Sequence, residues 1–161
     1  MAKVLIVTQA RLQSTRLPKK ILKEISGESI LQIHLKSLSQ SKYFDNLVVA
    51  TTQEKGIEDV IKLLKNTSTK YYQGSTLDVL DRYYQASLPY NPEYIVRVTS
   101  DCPLIDANLM DKIVEFTFNC GVDYVSNTLV EHYPDGQDVE VISMAALKKA
   151  WINTKNFIVI F

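Results

Sequence analysis

The chain has 161 residues with equal numbers of basic and acidic side chains, 18 of each, and 46% hydrophobic residues. That length suits a single domain with a core of its own, and the composition is not that of a disordered or collagen-like protein. A net charge of zero argues against a general nucleic-acid-binding protein, and no apolar run approaches the roughly 20 residues that cross a bilayer. Cys102 and Cys120 have no metal or redox spacing, so we interpret them as reduced thiols of a cytoplasmic protein that does not enter a membrane.

Short apolar runs alternate with amphipathic helical patterns along the chain. Strands are predicted at residues 4–7, 47–50 and 94–98, and more weakly at 124–126 and 139–142. Apolar helical stripes are formed by Leu31, Leu35 and Leu38, by Ile57, Val60, Ile61 and Leu64, by Leu77, Leu80 and Tyr84, and by Leu109, Ile113 and Phe116 after the N-cap Asp106. This alternation predicts an α/β fold with a mostly parallel sheet covered on both faces, and no repeat or linker divides residues 1–161 into further domains.

Positive charge is concentrated near the start of the chain. Residues 1–23 contain six cations and no acidic side chain, and four of the cations, Arg11, Arg16, Lys19 and Lys20, follow the first predicted strand. Ligands of parallel α/β sheets bind beyond the carboxyl ends of the strands, so this cluster predicts phosphate binding, with Ser14 as a hydroxyl donor. A solvated basic loop, or a patch for an acidic partner, has the same charge pattern. Neither a P-loop nor a Gly-x-Gly-x-x-Gly motif is present.

Four stretches carry more specific patterns: residues 10–22, 74–84, 97–106 and 133–141. In this order they resemble the cytidylyltransferases that activate acidic sugars, such as the CMP-sialic acid and CMP-Kdo synthetases. The resemblance is greatest to the SpsF-like proteins of spore coat polysaccharide biosynthesis. It implies a Rossmann-like, three-layer α/β/α nucleotidyltransferase fold. It also implies transfer of CMP from CTP to an acidic sugar such as a nonulosonic acid, with release of pyrophosphate, for surface polysaccharide biosynthesis.

The resemblance assigns a role to individual residues. Arg11, Arg16 and Lys20 would hold the triphosphate of CTP, Ala10 and the Gly74–Ser75 turn would contact the cytidine, Thr99 would contact the nucleotide, and Asp101 would bind Mg²⁺. From its surroundings alone, Asp101 has a turn or helix-capping role before Pro103 as the alternative. We leave Asp78 and Asp81 out of the site, because aspartate early in a helix is explained by the helix dipole.

Two features depart from the family pattern. Lys19 occupies a position where the family usually has glycine, so we expect a different backbone path there. Family members also continue for several dozen residues, with a later aspartate as a second Mg²⁺ ligand, and no counterpart precedes Phe161. Because the resemblance also fades from about Trp151, the chain resembles a cytidylyltransferase that lacks its C-terminal part.

Three classes of function are compatible with these patterns. The first is an active cytidylyltransferase that binds CTP and a sugar acceptor and forms a homodimer through residues 133–141, as related enzymes do. The second is a nucleotide-binding remnant without catalysis. The third is a glycosyltransferase that uses a nucleotide sugar, but such enzymes commonly have Asp-x-Asp where this chain has Asp101-Cys102-Pro103. A sugar-1-phosphate nucleotidyltransferase would need a glycine-rich opening loop, which this chain does not have.

His34 and His132 lack partners at metal-ligand spacing, so we interpret them as structural or surface residues.

Overall fold

The computed structural model describes residues 3–14, 17–130 and 132–154. The strands are β1 (Val4–Ala10), β2 (Glu24–Ile25), β3 (Glu28–Ser29), β4 (Leu47–Thr52), β5 (Tyr71–Gly74), β6 (Tyr94–Thr99), β7 (Tyr124–Ser126) and β8 (Glu140–Ser143). The helices are α1 (Ile30–Leu38), α2 (Glu58–Asn66), α3 (Val79–Ser87), α4 (Ala107–Cys120) and α5 (Met144–Asn153), with 3₁₀ turns at Lys20–Leu22 and Leu88–Tyr90. The central sheet has the strand order β5-β4-β1-β6-β8-β7, and β2 and β3 form a separate hairpin.

The sheet is mostly parallel, as the sequence predicted. β1 pairs in parallel with both β4 and β6, and β4 pairs in parallel with β5. β8 is the antiparallel member, since it runs opposite to both β6 and β7. The carboxyl ends of β1, β4, β5 and β6 therefore lie at one edge of the sheet, which is where parallel α/β proteins bind their ligands.

Helices cover the sheet on both faces. Neighbouring residues of β1 divide between two buried clusters: Ile6 belongs to the cluster that contains residues of α1, α2 and α4, and Leu5 to the cluster that contains residues of α3 and α5. Both side chains are almost fully buried, at 0% and 1% exposure. Burial on both faces explains why β1 is a continuous apolar run instead of an alternating one. The molecule thus has the three-layer α/β/α architecture that the resemblance implied.

Two residues of the predicted helical stripes were assigned wrongly. Leu77 is 93% exposed and precedes α3, because the Ser75 hydroxyl accepts hydrogen bonds from the Leu77 and Asp78 amides and holds that segment in a turn. Phe116 is 57% exposed, since the cap at Asp106 sets the register of α4 and the buried stripe runs through Met110, Ile113, Val114 and Thr117. No helix among the described residues is long and apolar enough to cross a membrane.

The predicted N-cap of α4 is confirmed, and it provides a test of local stability. The Asp106 carboxylate accepts hydrogen bonds from the amides of Asn108 (2.8 Å) and Leu109 (3.2 Å). We expect Asp106→Ala to lower the free energy of unfolding by about 1 kcal/mol, because those amides lose their acceptor. Asp106→Asn is the matched control and should stay within a few tenths of a kcal/mol of the wild type, since asparagine caps equally well. Equal losses in the two variants, measured by urea denaturation, would contradict the capping role.

Candidate active site

Four of the predicted site residues line one cleft at the carboxyl edge of the sheet. The cleft has a volume of about 170 Å³. Its polar lining consists of Gln9, Arg11, Lys20, Arg97, Thr99, Ser100 and Asp101. Arg11 follows β1 directly and begins the basic segment (residues 11–20), Thr99 ends β6, and Lys20 lies in the 3₁₀ turn at the end of that segment. Residues far apart in the sequence meet here because β1 and β6 are neighbours and end side by side, with Gln9 opposite Thr99.

Lys20 and Asp101 form an ion pair within this cleft. The Lys20 ammonium donates a hydrogen bond to Asp101 Oδ2, and both side chains are partly buried. Burial acts to raise the pKa of the Asp101 carboxyl, but the hydrogen bond and charge of Lys20, together with a hydrogen bond from Thr99, outweigh it and hold the pKa below its ordinary value. The carboxylate is therefore ionised at neutral pH and faces the basic segment.

A buried histidine holds the turn that carries Asp101. His34 is completely buried, with Nδ1 2.8 Å from the Cys102 carbonyl oxygen and Nε2 2.9 Å from the Thr8 hydroxyl. Because a carbonyl only accepts, Nδ1 carries the proton and Nε2 accepts from Thr8. Burial lowers the pKa of the imidazole, so the ring is neutral. This agrees with the structural interpretation of His34, while His132 lies exposed in a loop.

The basic segment is closed at its base by a backbone hydrogen bond from the Lys19 amide to the Leu12 carbonyl, at 2.9 Å. Lys19 has φ 56° and ψ 26°, in the left-handed region that favours glycine. Lys19 thus adopts the backbone conformation that suits the glycine of the family pattern, instead of avoiding it as we expected. Arg16 lies outside the described residues, so its role stays a prediction.

A second, larger cleft lies beside the basic segment. Its volume is about 490 Å³, and its lining includes Arg11, Ser14, Lys19, Glu54 and Lys55. Arg11 borders both clefts, and Ser14 borders only this one. The Ser14 hydroxyl accepts a hydrogen bond from the Leu17 amide at 3.3 Å, so it helps to shape the segment. Three cations around one cleft make it suitable for a polyanion.

The Gly74–Ser75 turn, which is predicted to contact the base, packs against the buried side chain of Arg82. Gly74 is buried, and a Cβ atom at this position would lie 2.7 Å from Tyr72 Cε1 and 3.2 Å from Arg82 Cγ. A larger residue at this position would therefore require the Tyr72 or Arg82 side chain to shift. Arg82 is completely buried and donates from Nη1 to the Ser75 carbonyl, while its Nε and Nη2 atoms find no hydrogen-bond partner among the described residues. Burial lowers the pKa of the Arg82 guanidinium.

Several polar residues of the site were missed from the sequence. Arg97 donates from Nη1 to Glu140 Oε2, and Glu140 Oε1 accepts from the Tyr124 hydroxyl at 2.6 Å. Gln9 has a buried side-chain oxygen without a partner among the described residues. A polar residue inside an apolar strand run was the available signal for Gln9 and Arg97, since such a side chain must be paired or face a cleft.

Among the described residues that line the 170 Å³ cleft, Asp101 has the one carboxylate that could bind a metal cation. Among the described residues, no three His, Cys, Asp or Glu side chains come together as a metal site. Asp135 and Asp138 line a separate cleft of about 400 Å³ with Asn127, Thr128 and Tyr133. Mg²⁺ commonly takes one or two carboxylates and completes its shell with phosphate oxygens and water, so Asp101 fits that chemistry.

Comparison with known proteins identifies the family to which this site belongs. A cytidylyltransferase family model matches residues 4–158. The chain belongs to the cytidylyltransferase family. The match extends past Trp151, so the expectation that the resemblance ends there was wrong. The fold and the order of the four stretches are thereby explained by common descent.

Individual family members confirm the resemblance. The chain is 32% identical over 145 residues to the spore coat polysaccharide biosynthesis protein SpsF of Bacillus subtilis, covering 87% of this chain and 59% of SpsF. It is 31% identical over 142 residues to a 3-deoxy-manno-octulosonate cytidylyltransferase of Francisella tularensis subsp. holarctica, covering 86% of this chain and 55% of the relative. The chain thus spans less than two thirds of the length of these relatives.

A solved cytidylyltransferase from Leptospira borgpetersenii shares the fold. It superposes with a TM-score of 0.89 at 35% identity, covering 94% of this chain and 65% of the other. The chain and this solved structure therefore share the arrangement of the sheet and of the helices that cover it.

The buried His34 makes stability depend on pH. Its folded pKa lies below the ordinary value of 6.5, so the unfolded chain binds the proton more readily, and the free energy of unfolding falls as the pH drops below about 6.5. We expect His34→Gln to be less stable than wild type near neutral pH. The gap should shrink toward about pH 5, because the variant lacks the buried imidazole whose protonation destabilises the wild type. A gap that stays constant across that range, in urea denaturation, would contradict a neutral buried ring.

The left-handed backbone of Lys19 gives a second test. We expect Lys19→Val to be less stable than Lys19→Gly by about 1–2 kcal/mol, because a β-branched side chain is strained at positive φ. The control pair is Lys62→Val and Lys62→Gly, at an exposed position inside α2. There the order should reverse, since glycine is the poorer helix former. The same order at both positions would argue against a left-handed Lys19.

Proposed function

We propose that this chain carries the nucleotide-binding part of an enzyme that transfers CMP from CTP to an acidic sugar. The observation that carries the proposal is the cleft in which Arg11, Lys20 and Asp101 converge at the carboxyl ends of β1 and β6. Basic side chains that bind a triphosphate must lie close to the carboxylate that binds the accompanying metal ion, since both contact the same phosphates. Arg11, Lys20 and Asp101 line one cleft, as this arrangement requires.

The basic segment would hold the triphosphate. Arg11 borders both clefts, Lys20 reaches into the smaller one, and Arg16 is the third proposed cation. Guanidinium groups bind phosphate oxygens in a bidentate manner, while the lysine ammonium adds a compact charge. Neutralising the pyrophosphate as it departs is the main task left to the protein in such a transfer, because the reaction requires little covalent participation by side chains.

Asp101 would hold Mg²⁺, which when bound neutralises phosphate charge and polarises the α-phosphate. In the described structure the Lys20 ammonium bonds to one carboxylate oxygen of Asp101. We propose that Lys20 turns from Asp101 to the triphosphate when the nucleotide binds. Thr99, beside Asp101 in the same cleft, would contact the nucleotide.

The cytidine would lie against Ala10 and the Gly74–Ser75 turn. Ala10 is the last residue of β1, and Gly74 is the last residue of β5, so the two lie at the same edge of the sheet. The Ser75 carbonyl is fixed by Arg82, and its hydroxyl by the amides of the following turn. A turn held this firmly presents its remaining backbone groups in one arrangement, which favours selection of one base over another.

In the proposed reaction a hydroxyl oxygen of the sugar attacks the α-phosphorus of CTP. A new oxygen–phosphorus bond forms, the bond to the β-phosphate oxygen breaks, pyrophosphate leaves, and the hydroxyl proton is released. The acceptor would bind near the cleft lined by Asn127, Tyr133 and Asp138. Support for an acidic sugar comes from the relative that is named for 3-deoxy-manno-octulosonate, and support for polysaccharide biosynthesis comes from the relative SpsF.

A nucleotide-binding remnant without catalysis is the second candidate, because Asp101 is the one carboxylate that lines the smaller cleft among the described residues. It predicts CTP binding without pyrophosphate release. We propose homodimer formation through residues 133–141 only for the active CMP-transferring enzyme.

Asp101→Asn tests the proposed function. Wild-type chain should bind CTP more tightly when Mg²⁺ is added, as measured by calorimetric titration, and the variant should lose that gain because its only proposed metal ligand is neutral. Where pyrophosphate release is measurable with an acidic-sugar acceptor, the variant should be at least about 100-fold slower.

Asp59→Asn, an exposed aspartate in the first turn of α2, is the matched control and should behave like wild type. A full Mg²⁺ effect on CTP binding in Asp101→Asn would overturn the assignment of Asp101. Binding of CTP without release of pyrophosphate by the wild-type chain would favour the remnant.

A further inference from the structure

A single buried carboxylate, Glu54, connects the end of β4 to the basic segment after β1. Glu54 is 7% exposed. Its Oε1 accepts hydrogen bonds from the Leu12 amide (2.6 Å) and the Thr52 hydroxyl (2.6 Å), and its Oε2 accepts from the Gln13 amide (3.0 Å). Both oxygens are therefore used, and two of the three donors are backbone amides of the segment that begins with Arg11.

These contacts fix the first residues of the basic segment from three directions. The Leu12 amide bonds to Glu54, the Leu12 carbonyl accepts from the Lys19 amide, and the Leu12 side chain is buried in the core at 4% exposure. Arg11 immediately precedes this anchored residue. Arg11 therefore lies between Ala10, the last residue of β1, and the anchored Leu12.

The charge of Glu54 has the wrong sign for direct binding of phosphate. It lines the 490 Å³ cleft together with Arg11 and Lys19, where an anion would be repelled by a carboxylate. Burying a carboxylate also costs free energy unless hydrogen bonds compensate for the lost water. A residue with this electrostatic cost at an anion-binding cleft is best explained by what its hydrogen bonds hold in place.

From these contacts we infer that Glu54 is a positioning residue that pre-forms the triphosphate-binding segment. It acts through the Leu12 and Gln13 amides and does not touch the nucleotide. This inference rests on the proposed function, since it assigns to Glu54 the preparation of a site for the CTP triphosphate. Pre-forming the segment lowers the ordering cost of ligand binding, which appears as affinity.

The affinity of the Glu54→Gln variant for anions should change in opposite directions, depending on whether Glu54 positions the segment or acts only through its charge. Removing a negative charge beside a polyanion should strengthen binding if charge alone matters. If Glu54 positions the segment, the variant should bind inorganic tripolyphosphate and CTP at least about tenfold more weakly, because an amide group cannot accept from both backbone amides as the carboxylate does. Cytidine, which has no phosphate, should bind the variant as well as the wild type.

Glu58→Gln is the matched control, because it removes the same charge from an exposed glutamate four residues further along the chain. It should leave tripolyphosphate binding unchanged. Equal or tighter binding of tripolyphosphate by Glu54→Gln would overturn the positioning role while leaving the proposed function intact. A wild-type chain that binds neither CTP nor tripolyphosphate would overturn both.

Hydrogen exchange on the unchanged chain tests the same inference even if the variant fails to fold. The Leu12 and Gln13 amides should exchange slowly before any ligand is added, because Glu54 already binds them. If they exchange at the rate of free amides and become protected only when tripolyphosphate is added, the segment is ordered by the ligand and the inference is wrong.

Discussion

The parallel pairing of β1 with both β4 and β6 is the constraint on which the rest of the structure depends. Because β1 is buried on both faces and flanked on both edges, its end is fixed relative to the ends of its neighbours. Arg11 and Asp101 are 90 residues apart in the sequence, and only this pairing places them in one cleft. The chemistry of the site is therefore a consequence of strand order, which is set by the distribution of aliphatic residues.

Much of the architecture could be predicted because strands and helices depend on the spacing of apolar residues over short stretches of sequence. Aliphatic runs identified the three central strands, and the stripe of α2 was confirmed at Val60 and Leu64. β5 was missed because Tyr71 to Gly74 has no aliphatic run, and its residues pair with β4 through backbone hydrogen bonds that any sequence can make. Leu77 was misassigned because a serine-led turn interrupts the helical period there.

The parts of the site that could be predicted are those that directly follow a strand. Strand prediction indicated the segments after β1 and β6, and the charge pattern and the family resemblance then selected Arg11 and Asp101 within them. The contacts of Glu54 and His34 could not be predicted from the sequence, because their partners Leu12 and Cys102 lie 42 and 68 residues away. No local sequence pattern indicates such distant contacts. Arginine on a helix is usually exposed, but Arg82 on α3 is completely buried, since Gly74 leaves room for its stem.

Three buried polar side chains lie beneath the site, and each bonds to backbone of a different segment. Glu54 accepts from the amides after β1, Arg82 donates to the Ser75 carbonyl after β5, and His34 donates to the Cys102 carbonyl after β6. Burying such groups costs free energy that their hydrogen bonds must offset, and removing one of them would leave its buried partner without a hydrogen bond. They are found where segments of the candidate site leave the sheet, because a hydrogen bond fixes the path of a backbone more narrowly than apolar contact does. The backbone of the candidate site thus depends on buried polar groups as well as on the strands that it follows.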